Sequence, residues 1–80
     1  MSEQEVLDVF TRILRDLLMD DSITLKTDTR RQDVANWDSF AYISFIVAAE
    51  GELGVKFNVA EVESFETVGD IVGATLARMR

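Results

Sequence analysis

Val6, Phe10, Ile13, Leu14, Leu17 and Leu18 recur at intervals of three and four residues, the spacing of one apolar stripe on a helix. Ser2 and Glu5 ahead of them have the spacing of a capping box. Glu3 and Glu5 sit near the positive end of that helix, and Arg12 and Arg15 toward its negative end. From Met19 to Trp37 the pattern fails: Asp20, Asp21, Ser22, Thr24, Thr27, Asp28 and Thr29 compete with helix by bonding their own backbone. A loop this long is uncommon in a compact domain unless its own side chains pack it, so Ile23, Leu25 and Val34 are the expected anchors. A second helix begins at Asp38 or Ser39 and runs to about Gly51 or Leu53, with Gly54 as a left-handed stop. A short element follows over Ala60 to Ser64. A last helix, capped by Thr67, carries Val68, Ile71, Val72, Leu76 and Met79 on one stripe. Gly69 and Gly73 weaken it by roughly 1 kcal/mol each relative to alanine, a loss that packing must offset.

The pattern predicts an all-α bundle of three main helices plus one short helix, with a long loop between the first two, as a single domain over residues 1–80. The expected core is Phe10, Ile13, Leu14, Leu17, Phe45, Ile46, Ala49, Leu53, Val68, Ile71 and Val72. The second helix has two apolar stripes. Tyr42, Phe45, Ile46, Ala49 and Leu53 form the inward one, while Phe40, Ile43 and Val47 form another beside Ser39. Either the helix is buried all round, or the second stripe is left for partners.

Composition narrows the function. Eighty residues close one core without room for a deep enzyme cleft, and 48% hydrophobic residues are more than a disordered acidic tail carries. Fifteen acidic against eight basic side chains give a net charge of −7, which repels nucleic-acid phosphates and favours partners with basic surfaces, or simply keeps the chain soluble. With no cysteine and no histidine, thiolate chemistry, the commonest general base and the commonest metal ligand are all missing. Asp20, Asp21 and Asp28 cluster in the long loop without the ligand order of an EF-hand, so no specific metal site is expected. Lys26, Lys56 and the carboxylates stand in no recognised spacing to activate a serine, so the chain is not expected to be an enzyme. The longest apolar stretch, Phe40 to Ala49, is interrupted by Ser44 and is about half of the roughly 20 residues that a spanning helix needs. A cytoplasmic protein without a membrane span is expected.

Trp37, Asp38, Ser39 and Phe40 stand where the long loop turns into the second helix, which presents a hydroxyl at a helix N-terminus. Unpaired amides and the helix dipole favour an anion there. Taken alone, Asp and Ser before an apolar run read first as N-cap residues. The stretch from Trp37 through Phe57, W-D-S-F-A-Y-I-S-F-I-V-A-A-E-G-E-L-G-V-K-F, resembles the attachment segment of acyl carrier proteins, whose hallmark is Asp-Ser-Leu ahead of a helix ending in acidic residues and a large apolar one. Asp38 and Ser39 match the Asp and modified Ser of that motif, and Phe40 replaces its Leu. Ile43, Phe45, Ile46, Ala49, Glu50, Glu52 and Leu53 continue the register, and Phe57, Val62, Phe65, Thr67, Val68 and Ile71 extend it into the last helix.

The resemblance implies an acyl-carrier-protein-like bundle that carries acyl or aminoacyl thioesters on a covalent 4'-phosphopantetheine taken from coenzyme A. Ser39 would bear the group and Asp38 would support its attachment. A phosphopantetheinyl transferase and the loading and client enzymes of fatty-acid-like or specialised biosynthesis would be the partners, meeting a monomer at Phe40, Ile43, Ser44, Val47 and Glu50. Ala41, Ser44 and Gly51 stand where members serving fatty-acid synthesis often have acids, so apolar contact is expected to outweigh charge in docking. Two alternatives stay open: a peptidyl or aminoacyl carrier, and an unmodified helical interaction module in which Ser39 only caps a helix.

Overall fold

Ser2 starts the first helix, α1 (Glu3–Leu18), through a reciprocal pair: its hydroxyl accepts from the Glu5 backbone N–H, and the Glu5 carboxylate accepts from the Ser2 N–H. In the computed structural model, which describes residues 1–79, a 3₁₀ turn (Arg31–Asp33), α2 (Ser39–Leu53), α3 (Val59–Ser64) and α4 (Val68–Arg78) follow. All regular structure among the described residues is helical, as the pattern of apolar positions predicts. Gly54 closes α2 at φ +67°, a conformation that a Cβ disfavours.

α1 packs against both α2 and α4. At the centre Phe10 and Phe45, both fully buried, meet edge to face with ring centroids 5.2 Å apart. Leu14, Ile46, Ala49, Val68, Ile71 and Val72 close around them. Leu17 is an exception to the expected core: it is 39% exposed, and Leu18 packs in its place. Helical spacing gives a side chain's direction and not whether another element stands opposite it. Leu53 is half-buried, packed against the core rather than within it.

The long loop is an ordered part of the bundle. Ile23 and Leu25 are buried, Val34 is half-buried, and the Arg15 guanidinium donates to the Ile23 carbonyl at 2.6 Å. Two loop carbonyls also satisfy amides at the start of α4, whose first-turn N–H groups have no intrahelical acceptor. Val68 N–H donates to Thr29 O and Gly69 N–H to Thr27 O, both at 2.8 Å. Thr67 and Asp70 complete the cap, and the Asp70 carboxylate accepts from the Glu66 and Thr67 backbone N–H groups, which holds its pKa below the usual aspartate range.

The close approach at α4 explains one of its glycines and not the other. A Cβ on Gly69 would stand 2.6 Å from the Thr27 carbonyl oxygen, whereas one on Gly73 would meet nothing within 4 Å. Gly73→Ala is therefore expected to stabilise the fold by about 1 kcal/mol through helix propensity. Gly69→Ala gains the same propensity but forces a backbone apart, for a net loss of about 1 to 2 kcal/mol. Thermal melts of the two variants should move in opposite directions, by about 4 to 8 °C per kcal/mol. A Gly69→Ala protein melting at or above the parent would contradict the close approach.

Candidate attachment site

The chain enters α2 by turning sharply inward and then outward. Asn36 takes a left-handed conformation at φ 69°, which asparagine tolerates better than most residues. Trp37 is then drawn into the core, 4% exposed, with its ring edge to face with Phe45 at 5.3 Å. Asp38, Ser39 and Phe40 come back out to solvent, and Ala41 is buried again.

Asp38 is the N-cap: its backbone is extended and its Oδ1 accepts from the Ala41 N–H at 2.9 Å. Ser39 is the first helical residue, and its hydroxyl takes no part in capping. The Ser39 side chain is exposed, and its one hydrogen-bond contact among the described residues is a loose one from Arg31 Nη1 at 3.5 Å. The capping explanation for Ser39 thus passes to its neighbour. The first-turn amides of Ser39 and Phe40 have no acceptor within the helix, and the positive end of its dipole lies beside the Ser39 hydroxyl.

Arg31 escaped the sequence analysis. It belongs to the only adjacent pair of basic residues in an acidic chain, Arg30 and Arg31, and that local charge reversal was the available signal. The 3₁₀ turn brings its guanidinium to Ser39 and over the ring of Tyr42, 5.4 Å from the centroid. Tyr42 in turn donates its hydroxyl to the Val62 carbonyl at 2.7 Å, tying α2 to α3. Burial lifts the phenol's pKa above its ordinary value, which keeps it a donor.

On the outer face of α2, Phe40, Ile43 and Val47 are 82%, 52% and 61% exposed, and Ser44 is half-buried between the stripes. Ala41 does not belong to this face: it is buried, so its small size serves packing and not docking. Both acids of α2 are engaged within the chain. Glu50 accepts from the Phe57 backbone N–H at 2.8 Å, and Glu52 pairs with Arg12. Glu50 therefore holds the turn into α3 instead of projecting a free charge.

Between α2, α3 and α4 a cleft of about 510 Å³ opens at Ser39, with Arg31, Trp37, Tyr42, Phe65 and Ile71 among its walls. Trp37 Nε1 is enclosed and has no hydrogen-bond partner among the described residues. An unmet buried donor costs about 1 to 3 kcal/mol. Asp20, in the loop, accepts from the amide and hydroxyl of Ser22, and among the described residues no three acidic side chains converge as a metal site. No helix among them is long and apolar enough to cross a membrane.

A bundle of three long helices and a short one, with an exposed, structurally idle serine at the mouth of the second helix, has the form of a carrier domain. The chain is 41% identical over 68 residues to acyl carrier protein MbtL of Mycolicibacterium paratuberculosis, covering 85% of this chain and 76% of that one. It is 37% identical over 68 residues to the proteins of that name in Mycobacterium tuberculosis and Mycobacterium bovis, covering 81% of each. No family model matches. The chain belongs to the acyl carrier protein family.

The division of labour between Asp38 and Ser39 predicts unequal costs. Asp38→Ala should lose about 1 kcal/mol in urea or thermal unfolding, the usual worth of an N-cap. Ser39→Ala should stay within about 0.5 kcal/mol of the parent, as an exposed substitution does. A larger loss at Ser39 than at Asp38 would reverse the assignment.

Proposed function

We propose that Ser39 carries a phosphopantetheine arm and that the protein holds acyl intermediates on it as thioesters. The observation that supports this most is the Ser39 hydroxyl itself, exposed at the start of α2 and relieved of capping by Asp38. A phosphopantetheinyl transferase would join Ser39 Oγ to the β-phosphorus of coenzyme A as the pyrophosphate bond breaks. Adenosine 3',5'-bisphosphate leaves, and a base on the transferase takes the hydroxyl proton. The attached group would supply a thiol for thioester chemistry, which a chain without cysteine cannot do itself.

The residues present suit the group. The free amides of Ser39 and Phe40 and the Arg31 guanidinium form a positive setting for a phosphodiester on Ser39. Asp38 holds the helix terminus that orients those amides. The names of the relatives favour acyl over aminoacyl cargo.

Client enzymes would dock on Phe40, Ile43 and Val47, flanked by Ser44. Both acids of α2 have partners inside the chain, so docking would draw little from charge on this helix, and affinity should fall only modestly from low to physiological salt.

Two experiments test this function. Incubation with coenzyme A and a promiscuous phosphopantetheinyl transferase should add one phosphopantetheine to the intact mass, mapped to Ser39. The Ser39→Ala protein should gain nothing, and loading of that variant would place the site elsewhere. Val47→Asp should leave the melting temperature within the range of surface substitutions while weakening a client enzyme by about 2 kcal/mol, roughly 30-fold. Unchanged client affinity would remove Val47 from the docking face.

A further inference from the structure

Arg31 has no carboxylate partner among the described residues, where the ion pairs are those of Arg12 with Asp16 and Glu52 and of Arg78 with Glu61. Its position is nevertheless built from both sides. Two residues before it, the Thr29 carbonyl accepts from the Val68 N–H at 2.8 Å, and three residues after it Val34 packs against the core. Between them the Asp33 carboxylate accepts from the Arg30 N–H at 2.9 Å and closes the 3₁₀ turn. The guanidinium carbon lies over the Tyr42 ring, 5.4 Å from its centroid, and that ring is itself held by its hydroxyl's bond to the Val62 carbonyl. A guanidinium combines a flat face that stacks on an aromatic ring with an edge of N–H donors. Placed over Tyr42, Arg31 brings Nη1 to 3.5 Å from Ser39 Oγ.

A neutral hydroxyl makes little use of that edge. A phosphodiester uses it fully, because its non-bridging oxygens stand one bond beyond the phosphorus joined to Oγ and match the two-pronged donor pattern of arginine. The same group adds a negative charge next to Asp38, in a chain already at −7, and Arg31 is placed to offset it. Resting on the assignment of the arm to Ser39, we infer that loading closes a bond that the unmodified protein lacks: Arg31 donates two N–H groups to the phosphodiester and so ties the 3₁₀ turn to the start of α2. The long loop thereby registers whether the carrier is loaded. In the unmodified protein it shows an unpaired guanidinium beside the serine, and in the loaded protein that charge is neutralised and the turn is clamped to the helix. Lysine at this position would keep the charge without the two-pronged edge.

The test compares the unmodified and phosphopantetheinylated forms of the parent, Arg31→Lys and Arg31→Ala, each verified by intact mass. At low salt the parent should gain about 2 to 4 °C in melting temperature on loading, the scale of an exposed but bidentate charge pair in a domain of this size. That gain should shrink in about 1 M NaCl, where the screening length is about 3 Å. Arg31→Lys should gain less than the parent, and Arg31→Ala should gain nothing. The phosphorus on Ser39 gives a second readout: its ³¹P resonance should differ between the loaded parent and loaded Arg31→Ala. With full mass gain at Ser39, equal melting gains in the parent and Arg31→Ala, a gain undiminished by salt, or coincident ³¹P resonances would overturn the clamp and leave the attachment intact. Absence of mass gain in the parent removes both together. If Arg31→Ala resists loading, the parent and Arg31→Lys decide, and equal gains in those two overturn the inference.

Discussion

The start of α2 depends on two adjacent residues pulled in opposite directions. Trp37 is held in the core against Phe45, which itself meets Phe10 of α1, so the position of the indole is fixed by the two long helices that form most of the bundle. Asp38, immediately after it, must turn outward, and there its carboxylate takes the Ala41 amide. With the core on one side and the cap on the other, Ser39 has one place to go. It enters the helix at its first position, with its hydroxyl in solvent and two unpaired amides beside it.

The long loop completes that arrangement from the other side. Its carbonyls at Thr27 and Thr29 receive the first amides of α4, and Gly69 permits the approach. This sets the path of the chain into the 3₁₀ turn, and the turn delivers Arg31 to Ser39. In a chain of net charge −7, a guanidinium at this point is a local reversal of sign where the proposed function needs one. Elsewhere the acids are largely occupied with structure: Glu5, Asp70 and Glu61 close capping boxes, Glu50 holds the turn into α3, and Glu52 pairs with Arg12.

The helices were legible because their signals are local. Caps at Ser2 and Thr67, the left-handed stop at Gly54 and the apolar periodicity of α1 and α4 all act within a few residues. What escaped depends on contacts between distant segments. Leu17 has the direction of a core residue and lacks a neighbour opposite. Ala41 and Glu50 lie in a register that suggested docking, yet one packs inward and the other bonds Phe57. Trp37 was legible as part of the attachment segment but not as the buried anchor of α2, because one aromatic residue at the end of a loop has no periodicity to betray its direction. The choice between Asp38 and Ser39 as the cap could not be made from composition, since both residue types cap helices well.

That choice is the centre of the account, because a serine that caps its own helix would lose an internal hydrogen bond on modification and a serine that does not is free to carry a group. The ¹³Cα and ¹³Cβ secondary chemical shifts of residues 36–42 in the unmodified protein report it directly. The account predicts extended values at Asp38 and helical values from Ser39 onward, unchanged in the Ser39→Ala protein. Extended values at Ser39, with the helix beginning at Phe40 and fraying when the hydroxyl is removed, would contradict it.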